Sequence, residues 1–152
     1  MKFTIDIDIK GIDKKLNQIT SDIKKGVEQG LKVCASEIKD MEQRQIENTT
    51  GNGEYVPTGQ LKRSVRIMPV EWSPYSASVS IVPMALYADF VENGTGIYVP
   101  GGRQGGWVYP VGDGTYRFTM GIPPHFFVQD TFDYYVNKVP AIVEEQIYKC
   151  LR

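Results

Sequence analysis

The chain has 152 residues, 41% of them hydrophobic and 23% charged, a balance that fits one soluble globular domain spanning 1–152 and excludes disordered or membrane classes. Seventeen basic residues against eighteen acidic ones leave a net charge of -1, so no overall field gathers nucleic acid or an anionic membrane. The two cysteines, Cys34 and Cys150, have neither metal-ligand spacing nor the density of a disulfide framework, and a reduced, cytoplasmic setting is expected.

At the start of the chain Phe3, Ile5, Ile7 and Ile9 alternate with Thr4, Asp6 and Asp8, which predicts a strand over 3–9 with the aspartates on its solvated face. This opening lacks the continuous apolar core of a secretory leader, and no run approaches the ~20 apolar residues of a spanning helix, so neither export nor membrane insertion is expected.

From Ile12 the apolar positions Leu16, Ile19, Ile23, Val27, Leu31, Cys34, Ile38 and Met41 recur at spacings of three and four, one stripe on a helix over 12–47. Such a helix would be ~54 Å long, more than a compact domain of this size spans, so it must protrude or bend. Gly26 and Gly30, each costing about 1 kcal/mol relative to alanine in a helix, mark the expected kink. Its stripe is expected to pack on a sheet and, beyond that, on a neighbouring subunit. Cys34 lies on the stripe as a small buried residue rather than a reactive thiol.

Residues 48–60 are turn formers without period and read as a loop. The match of Asn48-Thr49-Thr50 to a glycosylation acceptor carries no expected chemistry without a leader. Alternation at Val65 and Ile67, and again at Ala77, Val79 and Ile81, predicts a two-strand meander. Met84 to Glu92 reads as a short helix burying Leu86 or Tyr87 with Phe90 and Val91, stopped by Asn93-Gly94.

A second loop, 94–106, contains six glycines, and after it Trp107-Val108-Tyr109 and Tyr116-Arg117-Phe118-Thr119 form a hairpin turning at Asp113-Gly114. The last segment shows Phe127, Phe132, Tyr135, Val139, Val143 and Ile147 at helical spacings, with Pro140 expected to kink or split it. Phe126, Phe127 and the aromatic hairpin are expected to close the core against the long helix. The order predicts an α+β fold, a largely antiparallel sheet packed against a long N-terminal helix and a C-terminal helix.

Little in the sequence suggests catalysis. His125 is the single histidine, so no histidine metal cluster forms within one chain. The glycines of 94–106 match neither G-x-x-x-x-G-K-[ST] nor G-x-G-x-x-G opening a helix, which argues against a phosphate loop. Arg103, Trp107, Tyr109, Tyr116 and Arg117 combine charge with stacking faces suited to single-stranded nucleic acid, yet aromatics in a hairpin ordinarily form cross-strand pairs. Glu144, Glu145, Asp130 and Asp133 fit the solvated face of the last helix. No catalytic residue, cofactor or metal is expected.

Four segments taken in order resemble the neck and tail-completion (head-tail joining) proteins of long-tailed phages. Thr58-Gly59-Gln60-Leu61-Lys62-Arg63-Ser64-Val65 is similar to that family's T-G-x-L-[KR]-x-S-[IV], and Tyr87-Ala88-Asp89-Phe90-Val91-Glu92-Asn93-Gly94-Thr95-Gly96 to its Y-A-x-[FYV]-[VL]-E-x-G-T-G. Gly102-Arg103 followed by Gly106-Trp107-Val108-Tyr109 is the third. Gly121-Ile122-Pro123-Pro124-His125-Phe126-Phe127 resembles the family's glycine-led, proline-containing entry to the last helix, which ends P-F-[LM], with His125 where that proline is commonest. The resemblance covers about residues 12–150.

The resemblance implies a non-enzymatic structural protein of the virion neck, assembled in the host cytoplasm. Roughly six or twelve copies would close a ring through heterologous interfaces. Its partners would be copies of itself, the portal-side head connector, and the tail terminator or tail tube, with DNA passing through the lumen and no membrane involved. Thr58, Gly59, Leu61, Ser64, Tyr87, Glu92, Gly94, Thr95, Gly96, Arg103, Trp107 and Phe126 are its candidate interface or structural residues, and loops 48–60 and 94–106 its contact arms. Gly94 and Gly96 permit positive φ, while Glu92 and Thr95 can bond freed amides and fix the exit of the second loop. Ordering a glycine-rich arm costs about 1–2 kcal/mol per residue, so 97–106 is expected to be mobile in the monomer and ordered in the ring. Two other readings stand beside this one: a tail terminator capping the tube, and a soluble binding module for a host protein or single-stranded nucleic acid.

Overall fold

The computed structural model describes residues 10–48, 59–73 and 76–152, with side chains from Lys15 onward. The strand expected over 3–9 and nearly all of the loop expected over 48–60, Thr58 included, lie outside the described residues.

Helix α1, Lys10–Asn48, is unbroken over 39 residues, about 58 Å at 1.5 Å per residue. The expected kink at Gly26 and Gly30 is absent, because both glycines are buried where helix α5, Val139–Leu151, crosses α1. A Cβ on Gly26 would stand 2.5 Å from Ile147 Cα, and one on Gly30 2.7 Å from Val143 Cα. As α1 advances from Gly26 to Gly30, α5 retreats from Ile147 to Val143, so the helices run antiparallel with their backbones nearly touching. The propensity lost at each glycine, about 1 kcal/mol, is offset by the dispersion contacts this approach permits. Cys34 and Ala35, both buried, continue the strip of small residues.

The same register puts Leu151 level with Asp22, so the first turns of α1 run past the end of α5 and leave Leu16 and Ile19 exposed. The helical stripe therefore packs mainly on other helices, α5 and α4 (Phe127–Tyr135), rather than on a sheet. Pro140 splits the last helical segment. It occupies the first turn of α5, where its missing N–H breaks no helical hydrogen bond, and residues 136–138 turn between α4 and α5.

The main core lies at the C-terminal half of α1. Ile46 meets Leu61 of helix α2 (Gln60–Ser64), Val65 of strand β1 (Val65–Ile67), Ala88 and Val91 of helix α3 (Ala88–Asn93), and Phe127 of α4. Of the expected alternatives Leu86 and Tyr87 it is Tyr87 that packs on the core, with Val91 buried as expected, while Leu86 is fully exposed and the expected burial of Phe90 is corrected, since it is largely exposed. Helix α3 starts only at Ala88, so the pair three apart, Ala88 and Val91, faces inward and Leu86 falls in the preceding turn.

The class is α+β, and among the described residues all strand pairs are antiparallel, in three two-stranded ribbons. β1 pairs with β4 (Ile81–Pro83), and β2 (Glu71–Ser73) with β3 (Ser76–Ser78). Between these ribbons Met68 N–H donates to Ser80 O (2.8 Å), which leaves residues 69 and 70 against 79, the two-against-one excess of a bulge. The third ribbon joins β5 (Trp107–Pro110) to β6 (Tyr116–Thr119).

Candidate assembly interface

The second and fourth motifs lie against one another and form a clamp. Thr95 N–H donates to Ile122 O (2.8 Å), Ile97 N–H to Met120 O (3.0 Å), and Ile122 N–H to Thr95 Oγ1 (3.0 Å). Gly94 and Gly96 have φ of 79° and 64°, and a Cβ on Gly96 would collide with the Met120 carbonyl. A left-handed backbone in contact with a second backbone leaves glycine as the residue that fits. Residues 98–119 thus leave the body and rejoin it at one place.

Below the clamp, Glu92 caps α4. Its Oε2 accepts from Val128 N–H (2.9 Å) and its Oε1 from Gln129 N–H (3.0 Å), which satisfies two of the unpaired amides at that helix N-terminus with a negative charge. The Glu92 carbonyl also accepts from Phe126 N–H (3.2 Å). Phe126 takes φ of 51° to make this reversal, and its ring stays about half exposed while Phe127 is fully buried. The expectation that both phenylalanines close the core is corrected to Phe127 alone.

The expectation that the aromatic hairpin covers the core is also overturned. β5 and β6 make their main contacts with each other, and the register pairs Val108 with Phe118 and Pro110 with Tyr116 on one face. That face is uncovered, with Tyr116 71% and Phe118 62% exposed. On the other face Trp107 and Tyr109, opposite Thr119 and Arg117, are half-buried. The turn is the expected one: Asp113 Oδ1 accepts from Thr115 N–H (2.8 Å) and from its hydroxyl (2.5 Å). A two-stranded hairpin with open edges and an uncovered apolar face is marginal in water by itself.

The glycine loop 94–106 is therefore the first part of a longer arm. It is pinned at Thr95 and Ile97, carries a short 3-10 turn over Gly96–Tyr98, and is folded again by Gly102 N–H donating to Val99 O (3.0 Å). Arg103 is exposed on this stretch, next to Gly102, which lies against the Gly96 carbonyl.

The remaining sites organise the body. Gly59, with φ of 71°, opens α2. Leu61 enters the core, and Ser64 Oγ donates to Leu61 O (2.7 Å) and accepts from Ala85 N–H (3.1 Å), tying α2 to the approach of α3. Tyr87 stands at the N-cap of α3 and packs on the core. An ion pair from Lys62 to Glu47, with Gln43 Nε2 donating to Lys62 O (3.0 Å), fixes α2 on α1.

Sequence reasoning missed Glu42. It lies between Ile38 and Ile46 at spacings of four, so the helical stripe points it inward; it is 3% exposed and its Oε2 has no hydrogen-bond partner. Burial and the nearby Glu92 carboxylate raise its pKa to about 7. His125, half-buried in the same neighbourhood, has its pKa lowered by burial, against the pull of Glu92.

Among the described residues no group of three or more His, Cys, Asp and Glu is placed to hold a metal ion, and no helix is long and apolar enough to cross a membrane. Comparison of the chain with family models, with curated proteins and with solved structures finds no match.

Proposed function

We propose that this chain is a structural protein of a phage neck, whose copies form a ring joining the head connector to the tail. The observation that carries the reading is the clamped aromatic arm. Two of the four neck-like motifs, 87–96 and 121–127, meet to fix its base. Between them, residues 98–119 hold out apolar surface that the chain itself leaves uncovered.

The physical logic is that of an obligate contact surface. Exposed Val108, Tyr116 and Phe118 on a ribbon with two open edges favour association, since burial of each Å² of apolar area is worth ~25 cal/mol. The overhanging start of α1, with Leu16 and Ile19 exposed, offers a second such surface. Two unlike surfaces on one chain suit the head-to-tail contacts from which rings close.

The test is genetic and structural. Deleting the gene is expected to leave DNA-filled heads and finished tails unjoined in the lysate, and electron microscopy of complete virions should place the protein as a ring between connector and tail. Joined particles without the protein, or purified virions lacking it, would overturn the proposal.

A further inference from the structure

A cleft of about 490 Å³ separates α3 from α4, and its two walls differ. Val128 and Phe132 of α4, with Gln129 between them, give a largely apolar wall, whereas α3 contributes the exposed Asp89, the Glu92 carboxylate being bonded to the Val128 and Gln129 amides, and no basic residue lines either side. Phe127 closes the floor. Leu86, fully exposed, and Phe90, 59% exposed, extend the apolar surface just before and within α3.

The arm carries the complementary pattern. Along β6 the order is Tyr116, Arg117, Phe118, and successive side chains of a strand point to opposite faces. A β6 edge inserted between two walls therefore presents two aromatic rings to one wall and a guanidinium to the other. The arm's other basic residue, Arg103, leaves it positive against the single Asp113, while the mostly apolar cleft carries Asp89 and Glu92 and no basic residue. Within one chain these surfaces do not cover each other: Tyr116, Phe118 and Phe132 are all exposed.

We infer that the α3–α4 cleft is the receptor for the β5–β6 arm of a second copy of this chain. Tyr116 and Phe118 pack on Phe132 and Val128, and Arg117 pairs with Asp89. The inference rests on the ring reading for the identity of the partner. It deepens that reading by assigning the two halves of a heterologous contact.

Two full-length variants test it, each altered only at exposed positions and checked for unchanged circular dichroism and Tm. The first carries Tyr116→Ser with Phe118→Ser and keeps its cleft; the second carries Asp89→Arg with Phe132→Ser and keeps its arm. Each alone is expected to lose self-association, while an equimolar mixture forms a complex of two copies and no larger species, because each member retains one working half. Arg117→Asp is expected to weaken association about tenfold, and Asp89→Arg in the partner copy to restore it.

Self-association undiminished in both variants, absence of the mixed complex, or a parental protein that stays monomeric at millimolar concentration overturns the arm–cleft pairing. Rings that persist in both variants would do so while leaving the neck reading intact. A mixed complex formed by a protein absent from virions would overturn the neck reading and keep the pairing.

Discussion

Phe127 and Phe118 are the same side chain in opposite settings, nine residues apart. Phe127 begins α4, where α1, α2, β1 and α3 all contribute side chains to the cluster that encloses it, and it has no exposed surface. Phe118 lies in a ribbon whose strands pair, among the described residues, with each other alone, and it is 62% exposed. The difference shows that the chain divides its apolar surface by role. Side chains that stabilise the monomer come from elements brought together on α1, whereas those on the arm contribute nothing to the core and remain available to another molecule.

The largest expected effect lies on the first side of that comparison. Phe127→Ala should cost about 3–5 kcal/mol, read as a lowered urea midpoint, because the cavity opens at the junction of several elements that cannot all collapse into it. A cost near that of an ordinary surface substitution would show that α4 is not part of the cooperative unit.

Next comes the buried carboxyl. Glu42 has its folded-state pKa raised from 4.5 to about 7, so the folded state holds the proton more tightly than the unfolded chain. Its stability contribution is fully present below pH ~4.5 and is lost as pH rises through ~7, for a total of about 3 kcal/mol. Glu42→Gln should leave Tm nearly unchanged at pH ~4.5 and raise it progressively toward pH ~8. His125 acts in the opposite sense: its depressed pKa contributes stability that is lost as pH falls below the usual histidine range. A flat difference in Tm between parent and Glu42→Gln across this range would mean that Glu42 is solvated. In a Glu92→Gln background the same difference should shrink, since one of the two causes of the raised pKa has been removed.

A smaller effect separates glycines that serve packing from glycines that serve the arm. Gly30→Ala gains about 1 kcal/mol of helix propensity but puts a Cβ against the backbone of Val143, and overpacking of this kind costs ~1–3 kcal/mol. A net loss in Tm is expected. Gly105, on the arm, has open space where a Cβ would go and an ordinary φ, so Gly105→Ala should be neutral or slightly stabilising. Equal outcomes at the two positions would remove the distinction.

The helices were the most legible part of the chain. The three-and-four spacing placed α1 within two residues at its start and one at its end, and Pro140 marked the break between α4 and α5. Asp113-Gly114 marked the hairpin turn, and Glu92 and Thr95 were legible as side chains able to bond free amides. What periodicity concealed was partnership. A glycine in a helical stripe predicts equally a weak point or a close crossing, and Gly26 and Gly30 proved to be the second because α5 lies on them. Alternating aromatics in a hairpin predict a buried face without saying who buries it. A charge on an apolar stripe ordinarily sits at its margin, and only three-dimensional packing buries Glu42 beside Glu92.

The smallest expected effect is the sharpest test of the division between body and arm. Phe118→Ala should change monomer stability by no more than about 0.5 kcal/mol, although the same substitution at Phe127 is severe. The reason is that Phe118 loses little water-excluded area: apart from the buried Gly106 at its ring tip, its neighbours on that face are Val108, Pro110 and Tyr116, which are exposed themselves. Hydrogen exchange adds an internal ruler. The amides of Thr95, Ile97 and Ile122 are bonded across the clamp and should exchange slowly, while those of the β5–β6 ribbon open locally and exchange faster than α1. On self-association the ribbon amides should slow and the clamp amides should not, since only the former gain a partner. Slowing confined to the clamp would locate the contact in the body rather than on the arm.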